Sequence, residues 1–188
     1  MAFVRKTVKP KIPEGFEQGQ AVSGDGRFSV AQVLDVAKQR GVQISPLDVK
    51  ALLGVLGISL ISIPMEDDIS GMLSLADNGK DWIVKVNALH HPNRQRFTIA
   101  HEIAHFCRHR FLQAKFEDLN FFRNSESNQM EVEANRFASE LLMPESTFRD
   151  KVRALSGSIE DIASFFKVST LAVRVRAKNL GMKGHGLD

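Results

Sequence analysis

Apolar positions change their period along the chain, and the changes mark the elements. Val30, Val33, Leu34 and Ala37 recur at i, i+3, i+4 and i+7, one face of a helix, and Gly41 ends the run. Ser45 and Pro46 read as the N-cap and first residue of a second helix that reaches Leu56 and stops at Gly57. Three short apolar runs follow, SLISIP, SGMLSL and DWIVKVN, the last two flanking ADNGK, whose Asn78-Gly79 pair is a strong hairpin signal. A small sheet is expected there. Helical period returns in HPNRQRFTIAHEIAHFCRHR, with Asn93 as its expected N-cap, and again from about 127 to 143, where Pro144 stops it. EDLNFFRNSESN between these two long helices reads as a loop, and three shorter helical patterns complete the chain. Pro10, Pro13, Gly15, Gly19, Gly24 and Gly26 fall in a stretch without periodicity. The chain thus divides into an extended or disordered arm at 1–27, a mixed body at 28–155 and a C-terminal helical segment at 156–188.

Composition narrows the setting. The chain has 188 residues, 43% of them hydrophobic and 25% charged, which suits a globular domain with a real core. Its one cysteine, Cys107, cannot form an internal disulfide, so a reducing compartment fits. No apolar run approaches the roughly 18 residues of a membrane span, and MAFVRKTVKPKIPEGF lacks the apolar centre of a secretory signal. A cytoplasmic protein without a membrane partner is expected. Net charge is +3, with basic residues gathered near both ends: Arg5, Lys6, Lys9 and Lys11, then Lys167, Arg174, Arg176, Lys178 and Lys183. No glycine- or aromatic-rich pattern accompanies them, so they read as solvated charges.

HEIAH at 101–105 brings in chemistry. Two histidines four apart on a helix stand one turn above each other, so His101 and His105 can reach a single ion. Zinc takes nitrogen, sulfur or carboxylate oxygen at about 2 Å and keeps one position open when catalytic. Glu102, beside the first histidine, projects to the same place as a base that takes a proton from water. The competing reading is an ordinary helix with two satisfied histidines. Cys107 lies off the histidine face and makes a poor ligand.

A third ligand decides between these readings, and NQMEVEANRFASELLMP offers Glu131, Glu133 and Glu140. At 100° per residue, Met130, Ala134, Phe137, Ala138 and Leu141 make a buried stripe. Glu133 falls in a charged row with Arg136 and Glu140 that reads as solvent-facing. Glu131 lies on the opposite flank, with Asn135 one turn on, where an amide can orient a ligating histidine. Glu131 is therefore the expected third ligand and Glu133 the reserve.

RQRFTIAHEIAHFCRH followed by EVEANRFASELLMP resembles the ImmA/IrrE family of metallopeptidases. Upstream, ISGMLSLADNGKDWIVKVN is similar to that family's hairpin, and 28–63 to its leading helices and strand. The likeness is strong over about 30 to 144 and loose beyond. It implies an α+β fold, a mainly helical zincin-like core with a small β-sheet. It also implies Zn2+ held by His101, His105 and Glu131, with Glu102 as catalytic base. The family's cleavage of helix-turn-helix repressors implies a protein substrate, a repressor or antitoxin encoded nearby. Related zinc peptidases often stabilise the oxyanion with tyrosine or histidine, and this chain has no tyrosine. His90, His91, His109 and Arg94 are the candidates.

The C-terminal SIEDIASFFKVSTLAVRVRAKNLGM carries a rival reading. Ser158 and Asp161 resemble a capping box, Ile162, Ala163 and Phe166 form an apolar face, and KVS makes a tight turn. A second helix then carries Arg174, Arg176 and Lys178. That outline is a helix-turn-helix, so direct nucleic-acid binding by a regulator is the alternative to simple packing against the body.

Overall fold

The computed structural model describes residues 26–112, 114–119 and 129–182, so most of the predicted arm at 1–27 lies outside the described residues. The fold is α+β, as expected. Helix α1 (Val30–Gln39) buries Val30, Val33, Leu34, Val36 and Ala37 and starts in a capping box between Ser29 and Gln32. Helix α2 (Val49–Val55) is capped by Asp48 rather than Ser45, because the Asp48 carboxylate accepts from two backbone donors, Lys50 N and Ala51 N, at 3.0 Å each.

Strand β1 (Ile58–Ile63) pairs parallel with β3 (Trp82–Asn87), and β2 (Ile69–Leu75) pairs antiparallel with β3 through the predicted hairpin. Asn78 builds that turn by accepting from Lys80 N and Asp81 N, and Gly79 takes φ +66°. Helix α3 (Pro92–His109) lies across the sheet and is buried from Thr98 onward except at Arg108. His91, not Asn93, caps it, its Nδ1 accepting from Asn93 N, while the Asn93 amide reaches across to the Val168 carbonyl. Part of the predicted loop is a strand: β4 (Lys115–Leu119) adds to β2 antiparallel and completes the order β1-β3-β2-β4.

Helix α4 (Gln129–Leu142) packs along α3, burying Ala134, Phe137, Ala138, Leu141 and Leu142. Met130 is only half-buried. Helices α5 (Glu145–Ala154), α6 (Ile159–Phe166) and α7 (Thr170–Asn179) close the body. Phe148 and Phe166 stack at 5.9 Å between centroids, tying α5 to α6 into one continuous core. At its far end α3 is clamped by Arg110, whose guanidinium bonds the Phe106, Cys107 and Gly26 carbonyls and faces the rings of Phe28, Phe106 and Phe111. No helix among the described residues is long and apolar enough to cross a membrane.

Candidate metal centre

Helices α3 and α4 bring their polar residues together where both face inward. His101 and His105, one turn apart on α3, direct their Nε2 atoms to the same point, 2.9 Å from each other. Glu131, in the first turn of α4, meets them with Oε2 3.1 Å from His101 and Oε1 3.3 Å from His105. Both histidines are buried, while Glu131 is partly open to solvent. Among the described residues, these three form the one group able to offer a metal three ligand atoms within 4.8 Å of each other. Glu133, the reserve, points elsewhere.

Neighbouring groups set the protons on both rings. Asn135 presents Oδ1 to His101 Nδ1 at 3.1 Å, which places the proton on Nδ1 and a lone pair on Nε2. His105 Nδ1 lies 3.1 Å from His109 Nδ1, and His109 Nε2 lies 3.2 Å from the Glu133 carboxylate. A carboxylate accepts, so His109 donates from Nε2, accepts at Nδ1, and His105 is the donor between them. Its Nε2 also carries a lone pair. Two imidazole lone pairs and a carboxylate therefore converge, and something positive must sit among them.

A proton or a metal ion would each meet that need. Burial pulls His105 below the ordinary imidazole range, against the opposing pull of Glu131, so an extra proton is poorly held there. Ligands at about 2.0–2.1 Å around a tetrahedral ion stand about 3.3 Å apart. The two histidine–carboxylate spacings, 3.1 and 3.3 Å, come close to that edge length, and the Nε2–Nε2 spacing of 2.9 Å is somewhat shorter. The residues fit zinc.

Glu102 is fully buried beside the cluster, on the side facing β2. A Cβ at Gly71 would lie 3.5 Å from Glu102 Oε1, 2.9 Å from the Lys85 carbonyl oxygen, and in collision with the Thr98 methyl. Glycine at this strand position lets α3 approach the sheet closely enough to seat the carboxylate there. Phe116 of β4 covers the His105 ring, stacked at 4.7 Å and 26°. Cys107 is fully buried with its thiol pushed up to about 12 by desolvation, which suits a core residue and not a ligand.

A family model, the IrrE N-terminal-like domain of the peptidases, matches residues 53–178. The chain belongs to the IrrE N-terminal-like domain family. The match spans the sheet, the α3–α4 pair and the C-terminal helices. Among solved structures, a Mycobacterium tuberculosis transcriptional regulator is similar in fold, with a TM-score of 0.54 and 16% identity over 83% of this chain. The chain spans 48% of that protein. No curated protein matches it.

Two sequence expectations need correction. Glu133 is partly open to solvent, as its charged row implies, but it is not a lone solvated charge: its carboxylate takes Arg108 Nε at 2.6 Å and His109 Nε2 at 3.2 Å. Helical-wheel reasoning on one helix could not see the partners that α3 supplies. Arg176 is no solvated cation either, since it is buried and donates Nε to the Met143 carbonyl at 3.0 Å. The oxyanion candidates are engaged in other work: His109 with His105 and Glu133, His91 as a cap, Arg94 on Ser70 Oγ, and His90 near the Asn87 amide. The spacing of His101, His105 and His109, each four apart, was the signal that could have drawn His109 into the site.

Proposed function

We propose that this member of the IrrE N-terminal-like family is a zinc-dependent endopeptidase acting on a protein partner, most simply a helix-turn-helix repressor or antitoxin. The observation that carries the reading is the convergence of two lone-pair nitrogens and one carboxylate beside a buried glutamate. His101, His105 and Glu131 would hold the ion. When bound, zinc polarises a scissile carbonyl and acidifies water. The remaining work belongs to the chain. Glu102 accepts a proton from water at its carboxylate and later returns it to the leaving amine. Asn135 keeps the His101 proton on Nδ1, so Nε2 stays available. The apolar cover of Phe116 keeps the His105 ring in place and dry.

Metal analysis of protein purified without chelator tests this reading, with about one equivalent of zinc expected. Co-expression with the product of the adjacent gene should show cleavage that Glu102→Gln abolishes. Cleavage that persists in fully demetallated protein overturns it.

The α6–α7 pair supports a second reading, a DNA-binding regulator. Its outline is that of a helix-turn-helix, with Lys167 at φ +55° in the turn and Arg174 and Lys178 exposed on the second helix. The M. tuberculosis neighbour carries the name of a transcriptional regulator. DNA binding that survives metal removal and falls steeply with salt would favour it.

A further inference from the structure

His109 sits one turn beyond the two histidines of the cluster, yet it turns away from the point where they converge. Its Nδ1 faces His105 Nδ1 at 3.1 Å, on the edge of the His105 ring opposite Nε2. Its Nε2 faces Glu133 Oε2 at 3.2 Å, and the other oxygen of that carboxylate takes Arg108 Nε at 2.6 Å. His109 is almost completely buried, while the Glu133 carboxylate that it meets is partly open to solvent. Each group in this row has one proton arrangement that satisfies all of them: Arg108 donates to Glu133, His109 donates to Glu133, and His105 donates to His109.

We propose that His109 and Glu133 are positioning residues that fix the ring and tautomer of His105 for metal binding. The proposal rests on the metallopeptidase reading and assigns work to residues outside the HExxH motif. A histidine ligand ordinarily donates its second nitrogen to a carboxylate or carbonyl. His101 does so directly, to Asn135. His105 reaches the Glu133 carboxylate of α4 through an intervening imidazole, that of His109. Phe116 lies 4.7 Å from the His105 ring and 6.3 Å from that of His109, so one aromatic residue covers both. The ring of His105 is thereby held at its edge and on its face.

Zinc affinity measured by chelator competition, together with the absorption spectrum of the cobalt-substituted protein, tests the relay. His109→Phe keeps a ring of similar bulk and removes both nitrogens. It should weaken zinc by about 10–100-fold and shift the cobalt spectrum, while circular dichroism stays that of the wild type. His109→Gln offers an oxygen to His105 and an N–H to Glu133, and should recover much of that loss. Glu133→Gln keeps an acceptor for His109 but loses the charge, so its drop should be smaller than that of His109→Phe. On the cleavage reaction, kcat should fall in step with zinc occupancy and KM should hold. If wild-type protein binds zinc but His109→Phe binds it equally with an unchanged spectrum, the relay is wrong and the metallopeptidase reading stands. If the wild type binds no metal, the metallopeptidase reading fails and the relay fails with it. Should His109→Phe not fold, the comparison of Glu133→Gln with wild type decides: equal affinity and spectrum overturn the relay.

Discussion

The seam between α3 and α4 and the seam between α6 and α7 are both helix pairs with apolar contacts, but the first also buries a row of polar groups. Ile162, Ala163 and Phe166 meet Val173 and Ala177 across the C-terminal pair, with Val168 in the turn between. Dispersion and apolar burial hold such a contact without direction, so shape and volume are all it asks of the sequence. His101, His105, His109, Asn135 and Glu131 line the other seam. Each of those groups has a hydrogen-bonding partner at a set angle, and a buried polar group left without one costs about 1–3 kcal/mol. An apolar seam would hold α3 to α4 at least as well. A row of buried polar groups set into such a seam, with His101, His105, His109, Asn135 and Glu131 each given an oriented partner, is the mark of a site. The two seams also differ in their faces to solvent: Glu131 is the partly open edge of the polar one, whereas the outer face of α7 is a mixture of Leu171, Val175 and charged residues.

Substitutions can break this contrast. The largest effect is expected at Glu102. Glu102→Gln preserves size and leaves both histidines free, so zinc content by elemental analysis should equal that of the wild type. Cleavage should fall by a factor of about 10²–10⁴. Loss of metal in this variant would move Glu102 into the ligand set and undo its assignment as the base. Phe166→Ala strikes the other seam. Its ring is 1% exposed and packs on Phe148 and Phe165, so removal should cost about 3–5 kcal/mol in chemical denaturation. Folded protein should still bind zinc as before. A fall in zinc affinity in the folded fraction would show that the seams are coupled after all.

Asn135→Ala gives a smaller effect. It frees the His101 Nδ1 proton without touching a ligand, and should weaken zinc by about 10–100-fold with little change in melting temperature. Asn135→Asp should retain the acceptor and most of the affinity. An alanine variant with wild-type affinity would mean that packing alone orients His101.

What was legible in the sequence divides along the same line. Periodicity placed α1, the hairpin and the buried stripe of α4, because a local period reports a local face. The flank argument placed Glu131 and Asn135 together for the same reason, and the structure brings both to the histidines. What escaped depends on partners far along the chain. Glu133 is separated from His109 by 24 positions, and no property of α4 alone distinguishes a paired carboxylate from a solvated one. β4 escaped because five residues carrying Phe116 among charges show no alternation, and its place is set by β2. Gly71 did carry a signal, since a glycine inside a strand marks a close approach, but the sequence does not say what approaches.

The smallest expected effect bears on the alternative reading of the C-terminal pair. Arg174 and Lys178 are one turn apart on the exposed side of α7, while Arg176, the third basic residue of the helix, is spent on the Met143 carbonyl. Two exposed cations on a helix contribute little to folding, so Arg174→Ala with Lys178→Ala should shift stability within about 0.5 kcal/mol per site. Zinc affinity should not move, because α7 supplies no atom to the cluster. If the pair only packs, DNA binding of the wild type in a gel-shift titration will be weak, and the double variant will be indistinguishable from it. If the pair reads DNA, removing two phosphate contacts should lower the slope of log K against log salt by about 2. The two outcomes are separated by a salt series on two proteins, and the second would make α6–α7 a binding surface in its own right, with the zinc cluster as its neighbour.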